Sequence, residues 1–264
     1  MARLRKRSTS PGCNDEEVYE KVIGELLSSK IGYNVSRRER ENSKQMQNDI
    51  FHYGETGYVA TRRIVEAGLE HGCKGEVFID LGSGMGKVVL GAAIAHHFQM
   101  CIGVEKLEGL YELSLELQKQ FEATDLIDSR LKSKILFSRS DLFQFDVSNA
   151  DLIYCHTALF NEKEIFRLAK WLAGDIKLDA IVITVSYELP TSFGFETVEY
   201  LPLKLDGDVD AILFVSRLRK EQQNNIISQA DVDEDLDDLQ LRECGCSREY
   251  GGTPVKEEIN IVGS

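Results

Sequence analysis

The chain has 264 residues, 42% of them hydrophobic, and a formal net charge of −13. That length and apolar content suit one large folded domain with flanking tails and argue against wholesale disorder. No apolar run approaches the ~20 residues of a membrane span, which excludes a helical membrane protein on this pattern.

Residues 1–14 hold Arg3, Arg5, Lys6 and Arg7 ahead of Ser-Thr-Ser-Pro-Gly. They read as a disordered basic start, and nuclear import is a second reading of the same arginines. With no apolar core behind them a secretory signal is not expected, so the expected location is intracellular, nucleus or cytoplasm. From Asp15 a helical pattern places Val18, Val22, Ile23, Leu26, Leu27 and Ile31 on one face, and Ser36 to Asp49 reads as a polar, charge-rich connector. Residues 15–50 are therefore expected to form an N-terminal helical segment and connector. After His52-Tyr53-Gly54-Glu55-Thr56 a second helical pattern carries Val59, Ile64, Val65 and Leu69 and stops near Gly72.

Beyond Glu76 strands and helices alternate. Strands are expected at Val77–Leu81, Met100–Glu105, Ile135–Ser138, Asp151–Cys155 and Ala180–Ser186, with helices near Lys87–His97, Leu110–Thr124 and Glu164–Leu172. Such alternation argues for a mostly parallel α/β sheet covered on both faces. Only about ten residues join the third strand to the fourth, at the lower limit for a parallel crossover. Thr197–Leu205 and Asp210–Leu218 are strand-like runs joined through Asp206-Gly207-Asp208, a hairpin signal. Residues 221–264 carry 11 acidic and 3 basic residues, leaving about −5 for the rest, so residues 220–264 read as an acidic, disordered tail on a mildly acidic body. Cys101 and Cys155 fall inside apolar runs and read as reduced core thiols, while Cys244-Gly-Cys246 lacks further ligands at zinc spacing.

The chemistry gathers on Phe78-Ile79-Asp80-Leu81-Gly82-Ser83-Gly84-Met85-Gly86-Lys87. A buried strand, a turn with glycine at alternate positions and a helix present backbone N–H groups to a nucleotide-like ligand. A dinucleotide fingerprint wants glycine where Lys87 stands, and it wants no carboxylate beside a pyrophosphate, yet Asp80 is at the mouth of the turn. A ligand without phosphate and with positive charge suits that carboxylate, and S-adenosyl-L-methionine fits the description; no metal is expected. Glu105 ends the second strand, about 20 residues on, where an acid accepts hydrogen bonds from ribose hydroxyls. Asp141, after the third strand, reads either as a partner for an adenine amino group, with Leu142 or Phe143 on the ring, or as a helix or turn cap. His156, at the exit of the fourth strand, reads either as a proton acceptor or as a residue that hydrogen-bonds its own loop.

The parallel sheet closed by an antiparallel hairpin resembles the Rossmann-like, seven-strand methyltransferases over about Phe51 to Arg219. Within them, Tyr53-Gly54-Glu55-Thr56, Asp80-Leu81-Gly82-Ser83-Gly84-x-Gly86 and Gly103-Val104-Glu105-Lys106 resemble the non-SET histone lysine methyltransferases known as disruptors of telomeric silencing. Further matches are Asp141, Phe160 after Tyr154, and Val198-Glu199-x-Leu201-Pro202-Leu203-Lys204. The resemblance implies that Tyr53, Gly54, Glu55 and Thr56 fold over the methionine end of the cofactor, with Glu55 facing its ammonium. It also implies that Asp80, Gly82, Gly84, Lys87, Glu105, Asp141 and Leu142 line the rest of the site, that His156 and Tyr53 stand at the catalytic centre, and that a histone or nucleosome lysine is the leading acceptor. The family's asparagine near the transferring methyl falls on His156, its glutamine after the turn is Lys87, and its channel aromatics are replaced by Ala211-Ile212-Leu213-Phe214. A methyltransferase for a non-histone protein or small molecule, and a cofactor-binding interaction module without turnover, are the alternatives these departures leave open.

Overall fold

The computed structural model describes residues 14–23, 29–42, 56–127, 132–205 and 209–219, all of which fall within one compact unit. The seven expected strands form one sheet: β1 (Val77–Leu81), β2 (Met100–Glu105), β3 (Lys134–Arg139), β4 (Leu152–Cys155), β5 (Ile181–Val185), β6 (Phe195–Leu205) and β7 (Val209–Leu218), in the order β3-β2-β1-β4-β5-β7-β6. The first five strands are mutually parallel, and β7 inserts antiparallel between β5 and β6. Leu205 faces Val209 across the hairpin; the turn residues Asp206, Gly207 and Asp208 lie outside the described residues. So do residues 1–13, the 220–264 tail and, with it, Cys244 and Cys246.

Alternation along the strands divides the core. Phe78, Cys101, Ile135, Tyr154 and Ile183 face one side, and Ile79, Val104, Ile153, Cys155 and Val182 face the other. The first side is covered by α1 (Asp15–Ile23), α3 (Tyr58–Glu70), α4 (Lys87–Ala95) and α5 (Glu108–Ala123), the second by α6 (Glu162–Asp175) and the chain from β3 to β4. Asn161 starts α6 with a reciprocal capping box: its side chain accepts from the Glu164 N–H while Glu164 accepts from the Asn161 N–H. The short β3–β4 connection is accommodated because it needs only one 3-10 turn, Leu142–Gln144, lying flat on the sheet, with Leu142, Phe143 and Phe145 packed there. The expected core thiols Cys101 and Cys155 are buried, as is Cys73, and none of the three is in a disulfide among the described residues.

Most other element ends shift by one to three residues from the sequence reading, and one segment differs by more. Half of the connector expected at Ser36 to Asp49 is helical, because α2 runs Ser29–Asn42. Its arginines and glutamates are good helix formers. Arg37 also pairs with Glu41 and Arg40 bonds Ser36, each one turn away. The helix docks by Val35 against the core and by Glu39, whose carboxylate accepts the Gly109 N–H in the first turn of α5. A polar stripe with a single apolar contact is invisible to a search for apolar periodicity.

Candidate active site

Asp80, Glu105 and His156 lie at the C-terminal ends of the central strands β1, β2 and β4, where the strand order reverses, and Asp141 follows the neighbouring edge strand β3. Asp80 is in register with Gly103 on β2 and Tyr154 on β4. Its carboxylate is 3% exposed and makes no hydrogen bond among the described residues. Burial first, and the charge of Glu105 second, push its pKa well above the usual carboxylate range.

Glu105, 8% exposed, is held at both oxygens. Oε2 accepts the Gly84 N–H at 2.8 Å and Oε1 accepts the Leu107 N–H at 2.8 Å. Burial raises its pKa too, against the opposing pull of these amides. Each oxygen has a further lone pair, so the orientation is fixed while acceptor capacity remains.

Between the two acids runs the turn. Gly82 and Gly86 sit at φ +85° and +87°, a region L side chains rarely adopt, so glycine is required there. Gly82 and Ser83 donate to the Val104 carbonyl, and Gly86 to that of Ser83, which folds the turn back over the end of β2. A Cβ on Gly82 would meet no atom within 4 Å, and Ser83 Oγ is buried without a hydrogen-bond partner among the described residues. An uncompensated buried carboxylate, an orphaned hydroxyl and open space before a glycine turn fit a ligand that is cationic, carries hydroxyls and approaches the backbone closely. S-adenosyl-L-methionine meets all of these conditions.

The remaining expected residues are placed unevenly. Tyr53, Gly54 and Glu55 lie outside the described residues. Thr56, 2% exposed, shares a 3.0 Å hydrogen bond with the hydroxyl of Tyr154. Because Tyr154 is the β4 partner of Asp80, this bond ties Thr56 to the strand beside Asp80. Lys87 is the first residue of α4. Asp141 caps the 3-10 turn: Oδ1 accepts from the Phe143 N–H at 3.1 Å. Its Oδ2 accepts from Lys106 at 2.8 Å, and although partial burial opposes it, that ammonium keeps Asp141 below the usual carboxylate value. Leu142 is half-buried and packs on the α6 side of the sheet. His156 follows β4 immediately, half-buried, and burial lowers its pKa, so the imidazole is neutral at pH 7. Sequence reasoning used Tyr154 only as a spacing landmark and overlooked Lys106 as a partner for Asp141. The first is an apolar-run tyrosine whose buried hydroxyl needs a mate, which was a usable signal.

The family model described as Histone methylation protein DOT1 matches residues 38–197. Among solved structures the chain is similar to TrmN from Thermus thermophilus, at 18% identity and TM-score 0.47, over 63% of this chain and 50% of that one. It therefore spans about half the length of TrmN. Others are an S-adenosylmethionine-dependent methyltransferase from Clostridium acetobutylicum (10%, TM-score 0.45, 60% of this chain, 90% of that one) and a ribosomal protein L11 methylase from Lactobacillus delbrueckii subsp. bulgaricus (15%, TM-score 0.44, 60% and 79%). No curated protein sequence matches the chain.

Proposed function

The chain belongs to the family of the histone methylation protein DOT1, and from that premise we propose that it is an S-adenosylmethionine-dependent methyltransferase acting on a protein lysine, with histone the leading acceptor. The observation that carries the cofactor is the pair Asp80 and Glu105, buried at adjacent strand tips on either side of the glycine turn. When bound, S-adenosylmethionine supplies a methyl group on a positively charged sulfur, already activated for transfer to a nucleophile.

The chain's own residues do the rest. Asp80 provides the counter-charge for a cation, and it regains by pairing what burial cost it. Glu105, oriented by Gly84 and Leu107, accepts hydroxyl hydrogens. Asp141, set by Lys106 and its own cap, bounds the adenine end together with Leu142. Tyr53, Gly54 and Glu55 cover the methionine end from the anchor at Thr56 and Tyr154. An acceptor lysine must arrive neutral. His156, uncharged because it is buried, is the group at that edge able to take its proton. Alignment and exclusion of water supply the remaining acceleration. The acceptor places the protein's work at chromatin, hence the nucleus.

The test is transfer of labelled methyl from S-adenosylmethionine to nucleosomes, free core histones and cell extract in parallel, with Glu105→Ala as control. Label on a histone lysine that disappears in the control is the expected result. Label confined to other components of the extract would retain the methyltransferase and discard the histone. Absence of transfer to every acceptor, with cofactor still bound, would favour a binding module.

A further inference from the structure

Gly86 and Gly103 belong to different elements, the turn and β2, yet one aromatic ring stands before both. A Cβ on Gly103 would lie 2.5 Å from Cδ1 and 2.6 Å from Cε1 of Phe137, and 2.6 Å from Ser83 Oγ. One on Gly86 would lie 2.6 Å from Phe137 Cε1 and 3.3 Å from Ser114 Cβ. Distances below 3.0 Å leave no room for either carbon. Phe137 is the register partner of Gly103 across the β2–β3 pairing and packs on the α5 side of the sheet. Its ring therefore comes from the edge strand, crosses β2 through the gap that Gly103 leaves, and ends beneath the turn. Glu105 lies two residues beyond Gly103 and so faces the same side.

We propose that Phe137 is the positioning residue of the cofactor turn: its ring, wedged against Gly86 and Gly103, holds Gly84 at the height where its N–H meets Glu105. The proposal rests on the cofactor reading above. Glycine backbones on their own have many alternatives to the observed conformation. A rigid ring filling the space between turn and strand removes the alternatives in which the turn sinks toward β2. Affinity then depends on Phe137 through the turn it supports, because the site is preorganised before binding. A leucine at this position is shorter and leaves the Gly86 end of the space empty.

The experiment is calorimetric titration with S-adenosylhomocysteine of the full chain and of Phe137→Leu, Gly103→Ala, the Phe137→Ala/Gly103→Ala pair, Phe137→Ala alone and Phe121→Leu, with a thermal melt of each. Phe121 is a buried ring of the same core on α5, seven residues beyond the Ser114 that adjoins Gly86, and serves as the stability control. Phe137→Leu is expected to weaken binding by about tenfold through lost preorganisation, while Phe121→Leu lowers the melting temperature with the Kd unchanged. Gly103→Ala is expected to weaken binding more when Phe137 is present than once the ring is gone, when only the approach to Ser83 Oγ remains. Equal Kd shifts from Phe137→Leu and Phe121→Leu, an unshifted Phe137→Leu, or additive losses for Gly103→Ala and Phe137→Ala would overturn the proposal. A wild-type chain that binds no S-adenosylhomocysteine would instead remove the cofactor reading, and this inference with it.

Discussion

Replacing Tyr154 by phenylalanine removes one oxygen from the centre of the site and leaves every ring contact in place. Tyr154 is 1% exposed and Thr56 2%, and their hydroxyls share one 3.0 Å bond. With Tyr154→Phe the buried Thr56 hydroxyl loses that partner, and an unsatisfied buried polar group costs about 1–3 kcal/mol. For a domain of this size each kcal/mol lowers the melting temperature by about 2–4 °C. Thr56→Val strands the Tyr154 hydroxyl and should cost a similar amount. The double variant leaves neither group unpaired, so its loss should fall short of the sum by about 1 kcal/mol. Chemical denaturation of the four proteins measures the cycle, and titration with S-adenosylhomocysteine follows the site. On the proposed reading, in which Tyr53 and Glu55 cover the cofactor next to Thr56, affinity should drop in both single variants. Additive stabilities, or single variants within about 0.5 kcal/mol of wild type, would refute the anchor.

Asp80 gives a pH dependence of definite sign. Its folded pKa lies above the unfolded value, so its contribution to stability is complete below about pH 3.9 and is lost as pH rises through the folded value. Asp80→Asn should therefore raise the melting temperature at neutral pH and flatten its decline with pH while abolishing cofactor binding; an unchanged or lower melting temperature would contradict the buried, unpaired carboxylate. Gly82→Ala should cost about 1–2 kcal/mol for an L residue at positive φ and in addition place a methyl in the open space before the turn, so that S-adenosylhomocysteine no longer binds to the folded protein, as seen by titration below the melting temperature. Away from the site, Asp151 is 1% exposed, accepts the N–H groups of Glu76 and Val77 and pairs with Lys177. Asp151→Ala should cost about 3–5 kcal/mol in denaturant with the ligand Kd of the folded protein unchanged.

Much of this architecture was legible because its signals are local. Short apolar runs bounded by glycine and acid marked β1 and β2 to the residue, and the hairpin was marked by its turn. Asp80 and Glu105 could be placed at one edge since each ends a parallel strand. Hydrogen bonds between distant residues were not legible. Thr56 and Tyr154 are 98 positions apart, and no pattern around either names the other. Asp141 shows the same gap: its cap is local and was foreseen, whereas Lys106 reaches it across 35 positions. The wedge of Phe137 was hidden for a further reason: glycine announces a need for space or for positive φ, but not which side chain takes the space. Helix α2 escaped because charged pairs and the two docking residues Val35 and Glu39, rather than an apolar face, hold it in place.

The most direct measurement is equilibrium binding of S-adenosylmethionine and of NAD to the wild-type chain and to Glu105→Gln. A site with an uncompensated carboxylate at its mouth should take S-adenosylmethionine at one molecule per chain, take NAD weakly or not at all, and lose most of its affinity in Glu105→Gln. Tighter binding of NAD than of S-adenosylmethionine, or S-adenosylmethionine binding indifferent to Glu105, would contradict it.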